Sequence, residues 1–228
     1  MFVALPTRQS RTLRWATPSL VVVLALVFVW VQLGGRQHAL LQAWGAISGG
    51  LASPDAWLAA LRDGRAPRLV TALFLHADWA HLLGNLVFLL IFGLPSERAM
   101  GPWRLLGLFL VGGALANLAA ALAIDRPDRI IIGASGAVSA LIGAYLTLFP
   151  RARLGVVVPL GLFLEFVRAP ASLLIGVWAL LQVLFAYIGP AFGAVAWMAH
   201  VTGFGFGMLF AVLVRAAIAR RLRRQRGL

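Results

Sequence analysis

Six apolar stretches constrain this chain more than any other feature. They run at about 18–33, 79–94, 104–124, 131–149, 171–189 and 195–214, each near the roughly 20 residues an α-helix needs to cross a bilayer. Inside the hydrocarbon there is no water for backbone N–H and C=O groups, so such a chain must satisfy them internally, as helices. Hydrophobic residues make up 61% of the 228, above the roughly half typical of soluble domains. Six spans leave no room for a sizeable soluble domain. The expected fold is an all-α polytopic membrane protein with six transmembrane helices, a single domain over 1–228. It has a short N-terminal tail at 1–17, a core at about 18–214 and a basic tail at 215–228.

The formal net charge of +13 could suggest a nucleic-acid partner, but its distribution argues against one. All 20 basic residues are arginine, and they sit at the ends of apolar stretches and in the C-terminal tail. That pattern orients a protein in a membrane and contacts lipid headgroups. Fourteen of the 20 fall on one side of a six-span topology: Arg8, Arg11 and Arg14; Arg98 and Arg104; Arg151, Arg153 and Arg168; and six from Arg215 onward. The positive-inside rule then places both termini in the cytoplasm. There is no cysteine, hence no disulfide and no thiolate metal site. The first apolar stretch lacks a clear cleavage site and is expected to be a retained helix. The arginines before it weakly resemble a transit peptide, a reading disfavoured by the shortness of the tail.

Two connections are more than linkers. In the long outer loop at 34–78, Ser53-Pro54 reads as a helix start, and Trp57, Leu58 and Leu61 follow as an apolar face. Leu40, Leu41 and Trp44 make another. Both are expected to be interfacial helices; the alternative is an unstructured loop. The stretch 156–167, interrupted by Pro159 and Gly161 and carrying Glu165, is expected to be interfacial or re-entrant. A seventh span there would put the tails on opposite sides, against the arginine count.

Polar groups inside spans are costly and default to functional hypotheses. Ser135 lies in Gly133-Ala134-Ser135-Gly136 near the start of the fourth span, and His200 in Ala199-His200-Val201-Thr202-Gly203 near the start of the sixth. His81 and Asn85 lie one turn apart near the start of the second. Even-numbered helices all run inward, so all of these groups fall toward one outer face, roughly 5–15 Å deep at 1.5 Å per residue. A serine hydroxyl needs a base, and buried neutral His200 is the candidate. No Asp or Glu lies within the spans as drawn, which favours a Ser–His dyad over a triad. Gly203 and Gly207, with Gly136 and Gly143, would let the fourth and sixth helices approach closely. His81 and Asn85, on one face, could join the Ser135 backbone N–H in holding an oxyanion. Asp78 is a cap candidate for that helix, and His76 just before it could help retain water.

Each feature also has a packing explanation. Small residues are ordinary in membrane helices, and a lone membrane His or Asn is more often an interhelical hydrogen bond; Asn117 and Gln182 are read that way. A metal site of His76, His81 and His200 lacks a His-Glu-x-x-His pair and any carboxylate in the spans. The shared depth and complementary roles of Ser135, His200, His81 and Asn85 favour a hydrolase.

With those residues in place, the chain resembles the rhomboid family of intramembrane serine proteases over about 70–214. The resemblance rests on Phe74-Leu75-His76 followed by His81-x-x-x-Asn85, on Glu97-Arg98 with Gly101, on Gly133-Ala134-Ser135-Gly136, and on Ala199-His200-x-x-Gly203-x-x-x-Gly207. It implies Ser135 as nucleophile and His200 as general base and acid. It implies an oxyanion hole from His81, Asn85 and the N–H groups of Ser135 and Ala134. The implied substrate is a transmembrane segment of another membrane protein, cut near its outer end, with the fifth helix and the loop before His200 as the gate and no cofactor or metal. Ser139 stands where some members carry an aromatic that stacks on the histidine, and Leu94-Pro95-Ser96 is an unusual lead into Glu97. An inactive membrane chaperone or binding protein on the same fold is the alternative, although such relatives typically lack the serine or histidine. A small transporter would need broken helices in repeated halves, and no such repeat is visible.

Overall fold

A computed structural model of the chain describes residues 14–48, 54–124, 129–160, 163–188 and 197–225. The elements run α1 (Ala16–Leu33), α2 (Gln37–Trp44), β1 (Ala46–Ile47), α3 (Pro54–Arg62), α4 (Arg68–Thr71), α5 (Trp79–Phe88), α6 (Leu94–Met100), α7 (Pro102–Ala123), β2 (Ile130–Ile131), α8 (Ser135–Leu148), β3 (Arg153–Leu160), β4 (Phe163–Pro170), α9 (Ala171–Ile188) and α10 (Trp197–Gln225). The protein is a helical membrane bundle. α1, the continuous α5–α6 rod, α7 and α10 are long and apolar enough to span a bilayer, and α8 and α9 are shorter apolar helices.

α8 is the axis of the bundle: every residue from Gly136 to Tyr145 is buried. With no hydrophobic driving force between helices in lipid, close packing must hold them, and glycines supply it. Gly203 of α10 lies on the carbonyl of Gly136, Gly207 on that of Ala140, and Gly143 of α8 on that of Phe204; a Cβ at any of the three would overlap the facing backbone. On the other side, Gly112 and Gly113 of α7 face the Ala140 and Ala137 methyls. At 14 residues, α8 is about 21 Å long, short of the ~30 Å hydrocarbon core.

The Pro95 lead into Glu97 has a structural explanation. Between α5 and α6 the rod passes through a π-helical turn at Leu89–Gly93. A proline inside a helix removes a hydrogen bond and collides with the carbonyl four residues back, and a π turn relieves that register conflict. The rod therefore runs to Met100 rather than ending near 94. Its last turn buries Glu97, whose carboxylate accepts from the backbone N–H groups of Ala16 (2.9 Å) and Thr17 (2.8 Å). Those are otherwise unpaired donors at the start of α1, so Glu97 caps another helix across the fold.

The outer loop is ordered where it is described. β1 pairs antiparallel with β2, Thr71 Oγ1 donates to the Trp44 carbonyl at 2.6 Å, and Gln37 Nε2 donates to that of Ala77 at 2.8 Å. Both expected short helices are present, as α2 and α3. Trp44, Leu58 and Leu61 on them are exposed; the cap residue Ser53 lies outside the described residues.

Two further spans and one connection differ from expectation. The fourth helix begins at Ser135, because Ile130–Ile131 are extended in β2 and Gly133 takes a positive φ of 110°. Residues 156–160 and 163–167 belong to two antiparallel strands in which Arg153 pairs with Pro170 and Leu160 with Phe163. The last helix does not stop near 214 but continues through the arginine-rich tail to Gln225, and the Arg221 guanidinium packs against Gly101 at the start of α7. The start of α1, at Glu97, and the end of α10, at Gly101, thus lie at the same end of the bundle.

Candidate active site

At the opposite end of α8, three helices converge. Ser135 is the first residue of α8, entered from Gly133, whose N–H donates to the Ala72 carbonyl at 2.9 Å. The first N–H groups of a helix have no intrahelical acceptor and carry the positive end of its dipole, so the serine stands where negative charge is favoured. Its hydroxyl lies 2.9 Å from His200 Nε2, within hydrogen-bond reach. The two residues come from α8 and α10 and meet because Gly203 and Gly136 allow backbone contact one turn below.

The orientation of the imidazole, left open by Ser139, has an answer on α9. His200 Nδ1 lies 2.6 Å from Gln182 Oε1. If Nε2 accepts the serine proton, Nδ1 must carry the hydrogen, and an amide oxygen is the partner that this tautomer requires. Trp197, one turn before His200, meets the ring edge-on at a centroid distance of 6.0 Å. Ser139 makes no aromatic stack; its hydroxyl donates back to the Ser135 carbonyl at 2.7 Å.

α5 brings the other polar groups. Asp78 caps it, accepting from the His81 N–H at 2.8 Å. The His81 imidazole lies against the Cα of Gly133, where any Cβ would overlap it. Positive φ and missing side chain together let the ring approach within two residues of the nucleophile. Asn85 is buried one turn deeper, with Nδ2 donating to the His81 carbonyl at 3.1 Å. An amide nitrogen has two hydrogens, so this bond leaves one. His76 is 1% exposed and stacks edge-on against His81 at 5.0 Å. Burial first, and His81 second, pull its pKa down to about 4, so it is neutral at ordinary pH.

The structure thus gathers Ser135, His200, His81, Ala134 and Gly133 at one end of α8. Asn85 and His76 flank them, and Gly136, Ser139, Gly203 and Gly207 lie at the helix contacts beneath. Asn117 is structural as expected, donating to the Leu69 carbonyl at 2.8 Å. Gln182, read as an interhelical hydrogen bond, makes one from α9 to α10, and its partner is the candidate base. The available signal was positional: α9 and α10 are joined by a short connection, which makes them antiparallel neighbours, and Gln182 and His200 lie at comparable distances from it.

Comparison with known proteins points the same way. The rhomboid domain model matches residues 63–217. The chain is 27% identical over 221 residues to rhomboid-related protein 1 of Caenorhabditis elegans, a match covering 88% of this chain and 56% of that protein. It is 29% identical over 145 residues to YdcA of Bacillus subtilis, named as a candidate rhomboid protease, covering 61% of this chain and 67% of that one. Over 74 residues, 32% of this chain and 26% of the relative, it is 45% identical to chloroplastic rhomboid-like protein 11 of Arabidopsis thaliana. The chain spans about half the length of the nematode relative and about a quarter of the chloroplast one.

Proposed function

The chain belongs to the rhomboid family, and on that premise we propose that it is an intramembrane serine endopeptidase acting through a Ser135–His200 dyad. The observation that carries this is the 2.9 Å contact between Ser135 Oγ and His200 Nε2, made between two helices at the N-terminal end of α8, where the helix dipole favours developing negative charge.

The chemistry follows from the positions. Ser135 Oγ attacks the carbonyl carbon of a substrate peptide bond as His200 Nε2 takes its proton. The carbonyl oxygen becomes negative and is held by the N–H groups at the start of α8, from Ser135 and Ala134, and by His81 and Asn85. His200 then returns its proton to the leaving amine, and water attacks the acyl-serine by the same route in reverse. The substrate is a transmembrane segment of another membrane protein. A peptide bond within a helix is shielded by its own hydrogen bonding, so cleavage falls near the outer end of the segment, where the helix frays. α9 forms the entry; the connection at 189–196, expected to share in it, lies outside the described residues. On the arginine distribution both termini lie in the cytoplasm, with the site opening to the outer face, and we place the chain in a bacterial inner membrane on its all-arginine basic complement and its alanine- and glycine-rich composition.

The test is cleavage of a model single-span substrate in liposomes by the intact chain, by Ser135→Ala and by His200→Ala, with fluorophosphonate labelling of the same samples. Wild type should cleave and label, and each variant should lose at least ~10⁴-fold in rate. A wild type that neither cleaves nor labels would instead support the inactive chaperone or binding protein.

A further inference from the structure

The outer half of α9 carries mostly lipid-facing side chains. Leu180, Leu181, Val183 and Leu184 are all exposed, yet Gln182 among them is 8% exposed. Its neighbours on the inward stripe explain why. Trp178 meets Phe204 at 5.9 Å, Gln182 meets His200, and Phe185 stacks on Trp197 at 4.8 Å. Positions 178, 182 and 185 follow the i, i+4, i+7 spacing of one helix face, and they pair with 204, 200 and 197 running the other way. The α9–α10 seam is therefore a ladder of three rungs, aromatic, polar and aromatic, with the polar rung on the candidate base. The polar contact, at 2.6 Å, is thus flanked by an aromatic pair on each side.

We infer that Gln182 is a positioning residue that fixes the tautomer of His200, and that the histidine is competent as a base only while α9 is docked along α10. This rests on the protease reading above and deepens it. The chemistry selects an amide for the place. A free neutral imidazole exchanges its proton between Nδ1 and Nε2, and only the Nδ1–H form can accept from serine. A carboxylate would enforce that form at the cost of a buried charge, whereas an amide oxygen enforces it without charge. The other titratable group acting on His200 is His81 on α5; no carboxylate bonds to the ring among the described residues. Because α9 is lined by lipid on its remaining faces, a helix that swings outward would take the acceptor with it and leave the proton free to move to the wrong nitrogen.

The experiment compares the full-length wild type with Gln182→Met, of similar length without an acceptor, and Gln182→Glu, which keeps one. Two readouts are taken: kcat and KM on the model substrate, and ¹⁵N spectra of the histidines, with His200 assigned by its own substitution. Wild type should show a single Nδ1–H tautomer at His200. Gln182→Met should show both tautomers and lose about ten- to a hundredfold in kcat, less than the ~10⁴ of a base locked in the wrong form, with KM nearly unchanged. Gln182→Glu should recover the wild-type tautomer and part of the rate. Unchanged spectra in Gln182→Met overturn the inference, whatever the rate does, because a purely structural role moves stability without moving the proton. If the wild type cleaves nothing, the spectra still decide: a tautomer released by Gln182→Met upholds the positioning role while the protease reading fails.

Discussion

Two seams meet at His200, and they are built from opposite materials. Along α8 and α10, glycines lay backbone on backbone. Along α9 and α10, large aromatics and one amide reach across a wider gap. The first places the histidine next to Ser135, and the second orients its ring. Close backbone packing tolerates almost no movement, because any separation forfeits dispersion contacts that nothing else in lipid replaces. Side-chain rungs can part and re-form with little strain. The molecule thus keeps its distance-setting contact in a buried core and its orientation-setting contact on a helix open to lipid.

The largest effect should come from breaking the tight seam. Gly203→Val puts a side chain into the Gly136 carbonyl and should force α10 away from α8. Cleavage and fluorophosphonate labelling should vanish, with a stability loss of about 1–3 kcal/mol seen in thermal unfolding in detergent. Gly205, two residues on, has nothing within 4 Å of an added Cβ, and Gly205→Val should behave as wild type. If both variants are silent, the seam is looser than the carbonyl contact requires.

An intermediate effect is expected at the entrance to α8. Gly133→Ala combines a φ of 110° with overlap onto His81. Backbone strain there costs of order 1–3 kcal/mol, and displacement of one oxyanion donor should lower kcat by about 10²-fold. Serine labelling should survive, since the dyad itself is untouched. Loss of labelling as well would mean that the turn positions the nucleophile rather than His81.

The smallest effect should come from the aromatic seam. Trp178→Leu removes one outer rung, worth about 0.5–1.5 kcal/mol, and should slow cleavage by tenfold or less by loosening the dock of α9. Leu180→Val, on the lipid-facing side of the same helix, should change nothing measurable. Equal effects from these two would mean that α9 is not held by the rungs.

Much of this was legible before any coordinates. The six apolar helices, the grouping of Ser135, His200 and His81 at one end, the Asp78 cap and the glycine stripe all follow from hydropathy, spacing and the length needed to cross lipid. Less legible were features whose partners are remote in the chain. Glu97 looked like a loop carboxylate because its partners, the Ala16 and Thr17 N–H groups, lie about 80 residues away. The strand pair at 153–160 and 163–170 was hidden because a short apolar run broken by Pro159 and Gly161 fits several structures. Gln182 was read as an interhelical hydrogen bond, but its partner, His200, lies on another helix, and no local pattern names it.

The sequence by itself determined that this chain crosses a membrane as helices, and which residues could do chemistry at which depth. Both follow from local composition against a slab of fixed thickness. Only the tertiary structure decided that His200 Nδ1 faces Gln182 and Nε2 faces Ser135, how closely His81 reaches Gly133, and that the fourth helix begins at Ser135. Those depend on where one helix lies against another, and that is set by pairwise packing across the fold, which no local pattern records.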